Sequence, residues 1–498
     1  MEEFDNKHKE NKRAILKSTT LLGGSSFITI LIGMARIKVV ALLLGPSGIG
    51  FMGVLTSLQQ IVSTITGLGL NSSGVRQIAH SASTKDENAV AITVRSLRIS
   101  VWATGALGLL VMVFGAHMLS QATFKTAEYA APIAALGLAI LFSSISSGQS
   151  CVLQGFRRIG DVAKINVIGA ISGTLIGLPC YYLWGVKGVV PSLVLAALAS
   201  LATSRWYARR VKIISVLISY PIVKIEMQKL IVFGLPLMLS GFITTVTSYI
   251  IRVFLNREAG LDKVGLYQAA FSLASVLVNF VLSAMGTDYY PRLTAVADDN
   301  SKVNEEVNSQ IEIALLLAVP ALAATVALMP YIMRIFYSSR FDDAIPILRW
   351  AIFGILGRVI SWPMGFIILA KAKGFLLFFT ELISAVFNII AFIICFKLFG
   401  LPGSGLAFAL FYAWHIGLML IVTKKLSRFI WNKQNIKLIL VSIIAISLIS
   451  IIEVLPILTI TRAILGIICF FGISYIYIKK LINISGISLK IIKGKFIK

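Results

Sequence analysis

Gly45-Pro46-Ser47-Gly48-Ile49-Gly50-Phe51 and Gly260-Leu261-Asp262-Lys263-Val264-Gly265-Leu266 are one turn written twice, 215 residues apart. Ser57-Leu58 and Ser272-Leu273 repeat at the same step, and so do Gly185-Val186-Lys187-Gly188 and Gly400-Leu401-Pro402-Gly403. One register therefore holds from the first turn of each half to its last. Each turn lies between two long apolar stretches. The first joins spans one and two of its half and the last joins spans five and six, so spans 1–6 and 7–12 are expected to be parallel copies. Chance recurrence of glycine turns is the alternative, and agreement of register at both ends argues against it. Parallel six-span repeats build transporters in which two lobes face a central cavity and rock to give alternating access.

Composition leaves the bilayer as the only fitting solvent. Hydrophobic residues make up 57% of the 498 positions and charged residues 13%, against roughly 25% charge in a soluble domain. The mean hydropathy is +0.89. A spanning helix needs about 20 mostly apolar residues. Such stretches run at 15–44, 48–70, 96–121, 128–153, 163–184, 188–207, 230–252, 264–286, 309–335, 345–369, 374–398, 402–423, 436–456 and 460–478. The expected fold is an all-α polytopic membrane protein of about fourteen transmembrane helices. Its parts are a tail at 1–13, a six-helix lobe at 14–215, a second at 216–428, and two further helices with a basic tail at 429–498. The apolar run after Lys17 is too long for a signal-peptide core, so it reads as an uncleaved first span.

The net charge of +25 sits in particular loops rather than in one patch with interleaved aromatics, which argues against nucleic acid. Lys and Arg crowd the first terminus, alternate loops (Arg157 and Arg158; Arg205, Arg209 and Arg210; Lys424, Lys425 and Arg428) and the last tail. The positive-inside rule then puts both termini in the cytoplasm, which requires an even number of spans. No GxxxxGK[ST] phosphate cradle occurs, and no break between spans is long enough for an ATPase or glycosyltransferase domain. Transport rather than catalysis is expected, driven by an ion gradient, the membrane potential or removal of product. Cys151, Cys180, Cys395 and Cys469 lie singly in apolar stretches and the four histidines are scattered, so neither a metal site nor a cofactor is expected.

Charges inside spans cost roughly 2.5–3.5 kcal/mol on insertion scales, so each needs a reason. Arg36 and Lys38 lie about 30 Å along the first helix from Lys17, at 1.5 Å per residue. Position 37 shifted by the 215-residue step is Arg252, so both halves carry a cation at similar height on their first helix. Arg358 lies about 20 Å into span ten. These cations suit an anionic ligand, above all a diphosphate, whose oxygens match the guanidinium fork. Snorkelling to headgroups or interhelical pairing is the plainer reading. Glu381 is the clearest buried acid. It reads either as a proton or cation site or as a partner of Lys371 or Lys373. Gln59, Gln60, Asn71 and Asn279 suit sugar hydroxyls or helix–helix hydrogen bonds, and the serines at 143–150 suit close packing. The acidic pairs Asp298-Asp299 and Asp342-Asp343 read as loop solvation.

The opening Gly45-Pro46-Ser47-Gly48-Ile49-Gly50 resembles that of bacterial O-antigen and enterobacterial-common-antigen flippases of the multidrug/oligosaccharidyl-lipid/polysaccharide (MOP) exporter superfamily. So do Tyr290-Pro291-Arg292-Leu293 before an acidic loop, Ser339-Arg340-Phe341 leading into span ten, and Ala370-Lys371-Ala372-Lys373 closing it. The resemblance covers most of residues 15–425. It implies a MATE-like fold in the bacterial inner membrane and translocation of an undecaprenyl-diphosphate-linked oligosaccharide, such as an O-antigen repeat unit of lipopolysaccharide biosynthesis, to the periplasmic face. It also implies a basic cavity, in agreement with Arg36, Arg252 and Arg358, and a polysaccharide polymerase and chain-length regulator as partners. The last two spans depart from the common twelve and resemble the lipid II flippases. A cation-coupled multidrug exporter is the other relative the superfamily offers.

Overall fold

The structure is a computed structural model that describes residues 2–84, 86–214, 220–456 and 459–485. Among these residues the regular structure is all helical. In chain order the helices are α1 (Glu2–Gly67), α2 (Leu70–Ser83), α3 (Glu87–Phe124), α4 (Ala130–Gly155), α5 (Ile159–Trp184), α6 (Val189–Ala208) and α7 (Tyr220–Ala295). They continue as α8 (Asn300–Ala327), α9 (Met329–Phe336), α10 (Ile345–Ala370), α11 (Gly374–Ser427), α12 (Lys433–Ile452) and α13 (Thr459–Ser485). Nine stretches of the described residues are long and apolar enough to cross a membrane. Many of their outward residues are large and apolar: Phe114 is 82% exposed and Leu175 68%. Water would not tolerate such a surface, and lipid does. The chain is a multi-pass membrane protein.

Three helices are too long to be single crossings. α1 has 66 residues, α7 has 76 and α11 has 54, whereas about 20 residues cross the hydrocarbon. Each is broken at the glycine the sequence repeat marks. Gly45 (φ 66°, ψ −169°) and Gly260 (φ 82°, ψ 172°) adopt one conformation, and Gly185 (φ 54°, ψ −133°) and Gly400 (φ 63°, ψ −146°) another. Positive φ is the region that a Cβ disfavours, so glycine at these turns follows from the backbone path. Just past the second pair, a Cβ on Gly188 would overlap the carbonyl of Cys180, and a Cβ on Gly403 that of Cys395. Residues 180 and 395 are again 215 apart. The repeat in sequence is thus a repeat of backbone conformation and of contact.

The chain forms two compact units, Met1–Gly265 and Leu266–Lys498. In the first, α4 packs between α3 and α6. Ser144 Oγ donates to Val101 O (2.9 Å) and Ser146 Oγ to Ser200 O (3.2 Å), so these serines serve helix packing. α3 starts on a cap: the Asp86 carboxylate accepts from the backbone N–H of Asn88 and Ala89. The two first turns also meet inside this unit. A Cβ on Gly50 would overlap Leu261 O, and one on Gly265 would overlap Pro46 O. Both members of each exchange are related by the 215-residue step, so the contact is reciprocal.

In the second unit α12 and α13 dock on α8 through polar groups. Asn435, fully buried, donates from Nδ2 to Asn308 O (2.8 Å) and Oδ1 (3.0 Å). Asn308 donates to Ile430 O (3.0 Å), and its Oδ1 accepts from Asn432 N (3.0 Å). Lys480 pairs with Glu312 at 2.9 Å, and the Ser442 and Tyr477 hydroxyls share a hydrogen bond at 2.7 Å. In the turn between the two helices, burial pushes the Glu453 carboxyl up, while Arg462 and then Arg349 draw it back. The last two helices are therefore built into the second unit. α2 and the break between α8 and α9 are elements that the sequence reading left inside a loop and a span.

Gly188→Ala and Gly403→Ala should each destabilise the protein by about 1–3 kcal/mol, the usual range for overpacking, and by similar amounts, in thermal unfolding in detergent. Asn435→Leu should cost about 1–3 kcal/mol by leaving the oxygens of Asn308 short of a donor. It should do so without changing helix content by circular dichroism.

Candidate functional site

Arg36 is half-buried on α1 and opens onto a cavity of about 460 Å³. Its walls come from α1 (Ser26, Thr29, Gly33) and α5 (Asn166, Ala170, Thr174). Small residues make the space: Arg36 Nη1 lies 3.5 Å from the point where Gly173 would carry a Cβ. Gly173 is the fifteenth of the 26 residues of α5, so the guanidinium stands beside the middle of that helix. The lining offers hydroxyl and amide groups around one cation, and no carboxylate. That arrangement accepts an anion bearing further hydroxyl groups. Its volume falls in the range of roughly 300–1,000 Å³ usual for small-molecule sites.

Lys38 and Arg252 are half-buried in the same unit, and each makes interactions of its own. Beyond Arg252 on α7, Tyr249 OH shares a hydrogen bond with Thr123 Oγ1 (2.7 Å), Asn256 Nδ2 donates to Thr123 O (3.0 Å), and Arg257 donates to Ala122 O. These bonds fasten α7 to the end of α3.

Arg358 and Glu381 belong to the second unit. Arg358 is half-buried and is the fourteenth of the 26 residues of α10, so it too lies mid-helix. Tyr412 of α11 lies within electrostatic reach of both Arg358 and Glu381. A Cβ on Gly357 would come within 2.7 Å of Tyr412 Cβ, which fixes the two helices closely at this level. The alternative of a Glu381–Lys371 pair is not taken up. Lys371 Nζ donates instead to Ala297 O and Asn300 Oδ1, each at 2.8 Å. Glu381 makes no ion pair or hydrogen bond with the described residues. Tyr412 and His415, with rings 5.8 Å apart, are the members of this cluster the sequence reading missed. An aromatic and a histidine at three-residue spacing in an apolar run give no signal of their own. Asp342 is engaged by Arg334 (2.7 Å) and Asp288, within α7, by Arg292 (2.9 Å), so both acids are ion-pair partners.

The polysaccharide biosynthesis protein family matches residues 15–297, more than half of the chain. The chain belongs to that family. The lipid III flippase of Escherichia coli (strain K12) is 23% identical over 379 residues, covering 72% of this chain and 86% of that protein. The lipid III flippase of Shigella flexneri matches to the same extent. Among solved structures, the lipid II flippase MurJ in an inward closed conformation superposes with a TM-score of 0.67 at 14% identity, over 93% of this chain and 99% of that one. An inward-facing multidrug resistance MATE family transporter of the MOP superfamily gives 0.65 at 16% identity, over 80% of this chain and 96% of that one. The fold is MATE- and MurJ-like, and the family is one of transporters and flippases, not enzymes.

Arg36→Ala should weaken binding of inorganic pyrophosphate by about ten- to a hundredfold, given roughly 1.5–3 kcal/mol for a hydrogen bond to a charged group. Gly173→Leu should weaken it as well by filling the cavity while leaving the charge in place. Both are checked by isothermal titration calorimetry on the purified protein.

Proposed function

We propose that this protein is a flippase that carries an undecaprenyl-diphosphate-linked oligosaccharide, a surface-polysaccharide repeat unit such as that of O-antigen, from the cytoplasmic to the periplasmic face of the bacterial inner membrane. The observation that carries the reading is the cavity at Arg36. A single arginine beside the middle of α5, with three hydroxyls and one amide among apolar neighbours, matches a diphosphate joined to sugars. The likeness to lipid III flippases supports it. Arg36 and Arg252, with Lys38 assisting, are the substrate-binding cations of the first unit and Arg358 that of the second, while the polyprenyl chain stays in lipid. Glu381 is the coupling-ion group, within electrostatic reach of Tyr412 and with no ion pair among the described residues.

The architecture proposed for this job has fourteen crossings. Of the nine candidate stretches, Gly24–Gly67, Ile159–Ala208 and Gly374–Ser427 each contain a turn glycine and count twice. α7, divided at Gly260, adds two more. Six-helix lobes at 14–215 and 216–428 and a two-helix addition at 429–498 follow from the repeat, and the basic loops put both termini in the cytoplasm. A polysaccharide polymerase and a chain-length regulator are the protein partners that this substrate implies. A lipid II flippase is the second reading, favoured by the MurJ structure's coverage of 93% of this chain. Cation-coupled drug export fits poorly with intramembrane cations that outnumber acids.

The test deletes the gene in its host and returns either the wild type or Arg358→Ala. The membrane face of the lipid-linked oligosaccharide is then measured by accessibility to an impermeant sugar-oxidising reagent. Substrate retained on the cytoplasmic face in the deletion strain and in the mutant is the expected result. Normal periplasmic delivery in the deletion strain, with no second flippase present, rules the reading out.

A further inference from the structure

α2 has 14 residues, fewer than the ~20 that cross a bilayer, and one face of it is buried through Leu70, Ser73, Gly74, Ile78 and Ser81. Its other face carries Ser72, Arg76 and His80, exposed and four residues apart, hence in line along the helix. The sequence of α2 contains no acid. Arg76 forms no ion pair or hydrogen bond with the described residues. What it does touch is an aromatic ring: its guanidinium carbon lies 3.9 Å from the centroid of Phe233 on α7. The backbone that carries the ring is held close to the start of α2. Gly69 takes a left-handed φ of 70°, and a Cβ on it would overlap Gly234 O. A Cβ on Gly234 would come within 2.7 Å of Leu68 O. Leu230, one turn earlier, is buried with Leu70, Ile78 and Leu97. Phe233 is thus a fixed platform and Arg76 a cation stacked on it.

With its carbon 3.9 Å from the ring centroid, the guanidinium lies over Phe233 and spends no N–H donor on a hydrogen bond with the described residues. Stacking removes rotamer freedom without using a donor, so the fork is pre-organised for two oxygens of one phosphate. Such charge-assisted bonds are roughly twice as strong as neutral ones.

We infer that Arg76 on its Phe233 platform, with Ser72 and His80 in line on α2, is a docking site for the phosphate of a lipid headgroup. It rests on the substrate reading above, under which it receives the polyprenyl diphosphate at the loading side before the diphosphate reaches Arg36. Phe233 is a positioning residue, since it offers the phosphate no donor.

The experiment is binding to purified full-length protein in phosphatidylethanolamine nanodiscs. The probes are undecaprenyl diphosphate, phosphatidylglycerol and inorganic pyrophosphate, and thermal unfolding checks that each variant is folded. Arg76→Gln is expected to weaken undecaprenyl diphosphate about tenfold. Arg76→Lys, which keeps the charge and loses the fork, should recover little of it. Phe233→Leu is expected to weaken it three- to fivefold although no charge changes, and Phe233→Tyr should restore it. Wild-type affinity in folded Arg76→Gln, or in folded Phe233→Leu, overturns the site or the platform respectively while leaving the flippase reading intact. Failure of the wild type to bind undecaprenyl diphosphate overturns both readings. Tighter binding of phosphatidylglycerol than of undecaprenyl diphosphate overturns the loading role and marks an ordinary phospholipid site. Equal binding of free pyrophosphate shows that the lipid part contributes nothing and removes the headgroup assignment.

Discussion

A chain that turns back between two apolar helices has to give up helical hydrogen bonds within reach of lipid, and every orphaned backbone group there is expensive. This fold meets that constraint with the shortest turns available. At Gly45, Gly185, Gly260 and Gly400 one residue in the left-handed region redirects the chain, and helical structure resumes at once. The close approaches that follow, Gly188 onto Cys180 O and Gly403 onto Cys395 O, leave no room for a side chain. Helix pairing, the height of each intramembrane charge and the space beside Arg36 all depend on where these turns fall. Shifting one by a residue would rotate the following helix by about 100° and carry its polar positions away from their partners.

The turns were legible in the sequence because their physical requirement has one chemical answer. Only glycine tolerates the needed φ cheaply, so the requirement appears as a letter, and two copies of it appear as a register. The spans were legible because lipid demands long apolar runs. α2 was less so: its buried positions 70, 73, 74, 78 and 81 do follow helical spacing, but serine and glycine are among them, which muted the pattern. The break at Leu328–Met329 was hidden inside a single apolar run, although Pro330 sits where a helix begins.

Of the candidate site, the cations stood out in the sequence and their surroundings did not. Charge inside an apolar run stands out at once, whereas Asn166, Thr174 and Gly173 matter only because α5 lies against α1. Tyr412 is silent for the same reason. The bonding of Lys371 to Asn300, rather than to Glu381, is a tertiary fact that sequence spacing did not show. Arg76 shows the reverse case: nothing in the sequence sets it apart, and only the ring beneath it, Phe233, gives it a direction.

The contact of Pro46 and Gly50 with Leu261 and Gly265 is self-matching: each side presents the same two positions, and each glycine meets the other's carbonyl. Such reciprocity is the signature of an isologous dimer interface, here found within one polypeptide. An ancestral chain carrying one copy of the turn would already have held a surface able to pair with itself. Fusion of two copies would then have freed each to diverge. The present chain records that freedom: the turn backbone is kept in both copies, while Pro46-Ser47 in one has become Leu261-Asp262 in the other.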